Sequence, residues 1–283
     1  MTKQYSDNIP NPSLQEALDS ERYVGVTVLG SGSKGNATVI HCGRDAILID
    51  AGFSARELLN RLQSVGLGEL RFHAILVTHE HDDHVKGLRV CATKLDTPVY
   101  TTTKCANILR SRDSRLKQFV TFVAGGSFDI GRFTVSPFSI PHDAEDPVAF
   151  AVYCQGVKVA LATDVGFASS AVEYALQDCG TMVVESNHDL NMLAASSRPW
   201  NIKQRIMGRQ GHLSNDSSAQ LLEHTITENT QHVILAHLSS ECNTPEIAVR
   251  SGQEALAHLS RPDIHLALAS QGTPINTAWL KSR

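Results

Sequence analysis

Short apolar runs, each closed by turn residues or by one polar side chain, recur along the chain and predict strands. Residues 24–29, 37–41 and 46–50 form a first group, and 132–140, 148–153 and 157–163 form a second. Single runs at 74–77, 98–101, 118–123, 181–185, 232–237 and 265–269 predict further strands, the last one closing the chain. Between them the spacing turns helical. Ser54 caps a helix over 55–65, with Leu58, Leu59, Leu62 and Val65 on one face and Gly66 at its stop. Helices are also predicted from after 101 through 110, over 169–177, within 190–208, and over 214–225 and 244–259. Residues 1–22 read as a flexible lead-in with a short helix at 14–18, and residues 23–283 as one domain. The two hairpin-like groups argue against a doubly wound parallel sheet. Two mixed sheets packed face to face, with helices outside both, bury the apolar runs on either side.

Composition changes this picture little. The 283 residues carry 42% hydrophobic side chains and a formal net charge of −4, so nothing advertises a polyanion-binding protein. Two bound divalent cations would add about +4 locally, which weakens that objection. Cys42, Cys91, Cys105, Cys154, Cys179 and Cys242 are scattered without a C-x-x-C pair, so neither a disulfide framework nor thiolate ligation is expected. The first twenty residues lack an apolar signal region, and no run of ~20 apolar residues follows, which leads to the expectation of a soluble cytoplasmic protein.

The candidate chemistry is concentrated in Thr78-His79-Glu80-His81-Asp82-Asp83-His84. H-x-H-x-D-H offers three imidazoles and a carboxylate at the end of a buried strand, a rigid edge from which ligands can converge on a divalent ion. His79 and His81 point the same way, while Asp83 and His84 fall on the turn beyond, so a second ion is the natural reading. His142, Asp164 and His237 each terminate an apolar run in the same manner. Each taken alone reads first as a hydrogen-bonding strand end; beside the first motif they complete a constellation.

That constellation resembles the metallo-β-lactamase-fold superfamily, which shows in order an Asp after a strand (Asp50), H-x-H-x-D-H, a His, an Asp and a final His. The resemblance implies a four-layered αβ/βα sandwich with the site at one edge between the sheets. It implies His79, His81 and His142 at one metal, Asp83, His84 and His237 at the other, and Asp164 bridging them, with Asp50 behind the ligands orienting them. Nitrogen and oxygen ligands suit two Zn²⁺ or Mn²⁺ ions, and a hydroxide held between two such ions is a nucleophile at neutral pH.

An Asp rather than a Cys at position 164 looks like the phosphodiesterase and nuclease branches of the superfamily. Glu185, ending a strand, and His212, in Gly211-His212-Leu213-Ser214, are similar in order and placement to a pair that helps protonate the leaving oxygen in transfer-RNA 3′-processing members. Asp83, Glu185 and His212 are therefore the expected catalytic residues. With Gly30-Ser31-Gly32-Ser33-Lys34-Gly35-Asn36 and Ala236-His237-Leu238-Ser239, these signatures resemble the YycJ/WalJ-type subfamily, regarded as DNA exonucleases or related phosphodiesterases. The implied substrate is nucleic acid, DNA before RNA. A small phosphodiester is the alternative, with a thioester hydrolase or a non-catalytic metal-binding regulator behind it. Ser33 and Asn36 line the site or belong to a tight turn. Arg198, Trp200, Lys203, Arg205 and Arg209 either grip a strand end or form a solvated helix whose Trp200 and Ile206 face the core.

Overall fold

The computed structural model describes residues 12–116 and 118–282, so residues 1–11 of the expected lead-in lie outside the described residues. The first sheet begins with β1 (Tyr23–Gly30), β2 (Ala37–Cys42) and β3 (Asp45–Ile49), which pair antiparallel in sequence. It continues in parallel through β4 (Arg71–Leu76), β5 (Val99–Thr102) and β6 (Phe119–Phe122). The second sheet mirrors that plan. β7 (Phe128–Ile130), β8 (Phe133–Ser139), β9 (Val148–Cys154) and β10 (Val157–Ala162) pair antiparallel. β11 (Thr181–Glu185), β12 (His232–Ala236) and β13 (His265–Leu268) then add in parallel. The chain returns to the first sheet through β14 (Ala278–Lys281), antiparallel to β1.

Three apolar layers explain why the runs are nearly continuous. In β3, Ile47 and Ile49 point into the core between the sheets, while Ala46 and Leu48 pack under the helices. In β12, Ile234 and Ala236 face the central core, whereas Val233 and Leu235 meet the helices Asn215–Thr225 and Pro245–His258. The period-two alternation is present, but both faces are buried. Helices therefore cover the outside of each sheet, and the expected four-layered αβ/βα sandwich is the observed one.

Four elements depart from the expectation. β13 does not close the chain, because β14 follows it; β7 precedes β8 as a separate three-residue strand. Asp82–Val85 and Leu88–Lys94 are short helices where a turn and no element were expected. The lead-in is not a free tail from residue 13 onward. Ser13 caps the helix Leu14–Leu18, Ala17 and Leu18 are buried, and Asp19 and Glu21 pair with Arg44 and Arg132. All six cysteines are free and buried. Among the described residues no helix is long and apolar enough to cross a membrane.

Candidate metal centre

The strands end at one edge of the sandwich, and the polar residues that stop them meet there. Asp50 follows β3, the H-x-H-x-D-H segment follows β4, His142 follows β8, Asp164 follows β10, and His237 follows β12. Asp50, Asp164 and His237 have φ of 61°, 60° and 57°, left-handed values that a non-glycine residue adopts at a cost of about 1–3 kcal/mol. The left-handed residue breaks the strand and turns its side chain into the edge. Gly52 permits the closest approach: a Cβ there would lie 1.6 Å from the Asp83 carbonyl oxygen. The Asp50 turn can therefore press against the helix that carries Asp83 and His84, and the Ala51 amide donates to the His84 carbonyl at 2.8 Å.

Two groups of ligand atoms converge. In the first, His81 Nδ1 lies 3.0 Å from His79 Nε2 and 3.4 Å from His142 Nε2. The Nδ1 atoms of His79 and His142 donate to Thr78 Oγ1 at 3.0 Å and to the Gly211 carbonyl at 3.2 Å. Their Nε2 atoms thus carry lone pairs, and the ligand atoms of His79, His81 and His142 lie within 4.8 Å of one another. In the second, Asp83 Oδ2 lies 3.6 Å from both His84 Nε2 and His237 Nε2. Asp164 stands between the groups, with Oδ2 3.2 Å from His84 Nε2 and Oδ1 3.8 Å from His142 Nε2. Asp164 Oδ2 and His237 Nε2 are buried with no hydrogen-bond partner among the described residues. Orphaned buried atoms of this kind are costly unless something binds them, and the donor set fits divalent cations.

Behind the second group sit two buried carboxylates. Asp50 accepts from His84 Nδ1 at 2.7 Å, and its other oxygen accepts from the Thr78 amide at 2.9 Å. Glu185, fully buried, accepts from His237 Nδ1 at 2.8 Å and from His212 Nδ1 at 2.9 Å through Oε1. Its Oε2 accepts from the Val165 and Leu213 amides at 2.9 Å and 3.0 Å. One side chain therefore ties together the turns that carry Asp164, His212 and His237.

Electrostatics follow this wiring. Burial opposes ionisation of Glu185, yet His212 and His237 hold its carboxyl down at about 2. Burial likewise opposes charge on His237, but Asp164, Asp83 and Glu185 push it up to about 10. His84, facing Asp50 and Asp164, is raised well above the usual histidine range, and those imidazoles hold Asp164 well below the carboxylate range. His79 and His142 are lowered, because burial outweighs the pull of the carboxylates near them. A cation entering the second group would therefore compete with protons for these imidazoles.

A cleft of about 250 Å³ opens above Asp164, lined by His81, Asp83, His142, His212 and His237. Of the rim residues expected from sequence, Ser33, Arg198 and Arg205 line it. Asn36 does not. It is buried beneath, and its amide nitrogen lies 3.1 Å from His84 Nε2 and 3.4 Å from Asp83 Oδ2. Lys203 Nζ donates to the Ala194 carbonyl away from the cleft, and Arg209 lies over the Phe167 ring in a neighbouring depression. Trp200 faces solvent at 62% exposure and does not line the cleft, so of its two readings the core-facing one fails. The helix Trp200–Met207 buries none of its side chains, because it lies over the cleft rather than on a sheet. Ile202 and Ile206 line the cleft instead.

Three contributors were missed from sequence. Thr78 bonds Asp50 and both neighbouring imidazoles, and Ser31 Oγ accepts from the His237 amide at 3.0 Å while donating to Asn36. Asp143 forms an ion pair with Arg205 at the cleft mouth. All three stand in or beside the quoted motifs, but their bonds to Asp50, His237 and Arg205 join segments distant in sequence.

A family model described as the β-lactamase superfamily domain matches residues 45–238. The exodeoxyribonuclease YycJ of Bacillus anthracis is 37% identical over 234 residues, 81% of this chain and 88% of its own length. The exodeoxyribonuclease WalJ of Streptococcus pneumoniae serotype 2 is 31% identical over 228 residues, 78% of this chain and 84% of its own. The solved metallo-β-lactamase-fold protein YhfI from Bacillus subtilis shares the fold, with a TM-score of 0.67 at 14% identity over 90% of this chain and 100% of that one. The matched span holds every residue from Asp50 to His237 that converges at the sheet edge, and the chain belongs to the metallo-β-lactamase-fold superfamily.

Proposed function

We propose that the chain is a binuclear metal-dependent phosphodiesterase that acts on DNA as an exonuclease. One observation carries the reading: the Glu185–His212 pair stands beside the carboxylate shared by the two ligand groups, with His212 Nδ1 3.7 Å from Asp164 Oδ1. A site for activated esters has little use for such a pair, whereas an alkoxide leaving from phosphorus needs a proton donor. The two relatives named exodeoxyribonucleases support DNA as the substrate.

His79, His81 and His142 would hold one ion, and Asp83, His84 and His237 the other, with Asp164 facing both. Bound Zn²⁺ or Mn²⁺ would supply Lewis acidity toward a phosphoryl oxygen and lower the pKa of water. The chain's own residues do the rest. Glu185 fixes the His212 Nδ1–H, which leaves Nε2 to deliver a proton to the leaving oxygen in the cleft. Arg198 and Arg205 at the rim hold flanking phosphates, and Ile202 and Ile206 narrow the water-accessible space. The proposed compartment is the cytoplasm, where six unbridged cysteines stay reduced.

The test is an end-labelled digestion. The purified protein, its metal content measured, is given single- and double-stranded DNA and RNA labelled at the 5′ or the 3′ end, with Mn²⁺ or Zn²⁺. Mononucleotides released from one end of DNA are expected. Turnover of small phosphodiesters with no cleavage of any strand would overturn the nucleic-acid reading.

A further inference from the structure

Next to the cleft, a second depression of about 690 Å³ is lined by Pro141, Phe167, Arg209 and Gln210. The two spaces share Asp143 and Arg205, whose ion pair forms the sill between them. Phe167 lies three residues after Asp164, and Arg209 lies three residues before His212. The floor of the depression is thus built on the same two turns that carry the shared carboxylate and the proton donor.

These turns are locked together. The Gly166 amide donates to the Pro141 carbonyl at 2.7 Å, and a Cβ at Gly166 would lie 2.3 Å from the Arg209 carbonyl oxygen. Main chain therefore sits on main chain, with no side chain between. On that base the Arg209 guanidinium lies 3.9 Å from the Phe167 ring centroid. Arg209 is exposed and has no acidic partner among the described residues, unlike Arg198 with Glu241 and Arg205 with Asp143. One face of a planar cation is occupied by an aromatic ring while the charge stays uncompensated. Such a plane stacks a second flat π-system better than it holds a point charge.

We propose that this depression is a nucleobase subsite, in which the base of a nucleotide adjoining the scissile phosphate stacks on the Arg209–Phe167 pair. The proposal rests on the phosphodiesterase reading above and names the part of the substrate held beyond the phosphate. A base in the depression, linked over the Asp143–Arg205 sill to a phosphate at Asp164, registers the strand end in the cleft. Stacking on a ring face tolerates every base, so the subsite recognises a nucleotide and not a sequence.

The test compares base with no base, using the full chain loaded with Mn²⁺. Single-stranded oligodeoxynucleotides carry an abasic residue on one or the other side of the linkage that is cut. In the native protein, removing the base on one of those sides should lower kcat/KM by about 10- to 100-fold. In Phe167→Ala and Arg209→Lys that penalty should collapse toward unity, since the first loses the ring and the second keeps charge without a plane. Phe167→Tyr should retain it. Each ratio is taken within one protein sample, so partial misfolding of a variant does not alter it. Equal kcat/KM for intact and abasic strands in the native protein, or a penalty that survives Phe167→Ala, overturns the subsite alone. If no strand is cut while a small phosphodiester is, the nucleic-acid reading falls and the subsite with it.

Discussion

The two ligand groups use the same kinds of atoms and are supported in opposite ways. His79 and His142 are oriented by neutral partners, a threonine hydroxyl and a backbone carbonyl. His84 and His237 are oriented by the buried carboxylates Asp50 and Glu185, and their group also contains Asp83. A carboxylate behind an imidazole raises its basicity and fixes its tautomer, and an anionic ligand adds direct attraction for a cation. The histidine-only group is the softer, more neutral seat, and the second group the more charged one. Identical side chains thus make unequal sites, and the inequality lies in what stands behind them.

Asp164 is where the comparison is broken most severely, because it serves both groups. Asp164→Asn keeps the shape and removes the shared charge; at least one ion should be lost, and turnover should fall by more than about 10⁴-fold. Metal analysis beside turnover checks this, and two retained ions with normal rates would refute it. His212 stands beside Asp164 but belongs to neither ligand group, so His212→Ala should keep both ions while turnover drops by roughly 10²–10⁴. Full activity of that variant on DNA and RNA would remove His212 from the chemistry.

Asp50→Asn sharpens the comparison directly. It should weaken one ion by roughly 10- to 100-fold and leave the other nearly unchanged in a calorimetric titration. Equal losses at both sites would mean that the groups are energetically coupled and not distinct.

Protons give a further separation. His237 is pushed up to about 10 and His84 is raised, so a cation entering their group must displace protons, and its apparent affinity should climb as pH rises from 6 toward 9. The group of His79 and His142, already lowered by burial, should show little change over the same range. Titrations in buffers of different ionisation enthalpy measure the protons released at each step. The smallest effect belongs to the rim: Arg205→Ala should lower kcat/KM on DNA a few-fold and reduce the salt slope by about one.

Much of this was legible before the fold. H-x-H-x-D-H, His142, Asp164 and His237 could be recognised because a ligand must be a polar residue of the right type, and a polar residue ending an apolar run marks a strand end. β14 escaped notice because Ala-Trp-Leu-Lys is short and becomes a strand only by pairing with β1, with Lys281 beside Tyr23. The helix Asp82–Val85 escaped because four residues are too few to show helical spacing or to hold a helix without tertiary support. Trp200 was equivocal for the opposite reason. Its helix has the amphipathic pattern of a packed one, yet it spans a cleft mouth, where the apolar side meets an opening instead of a sheet.

Residue type and local period thus pointed to two packed sheets and to candidate ligands at strand ends, and the resemblance to the superfamily implied the four layers and which of those side chains converge. The tertiary structure decided which support each ligand receives. Glu185 reaches both His237 and His212 because β11 and β12 run parallel with Glu185 opposite Ala236, which sets the next residue, His237, against its carboxylate. Asp143 meets Arg205 across 62 residues, and Phe167 meets Arg209 across two turns pressed together at Gly166. Register and close packing of distant segments create these contacts, and neither leaves a periodic trace in the chain that they join.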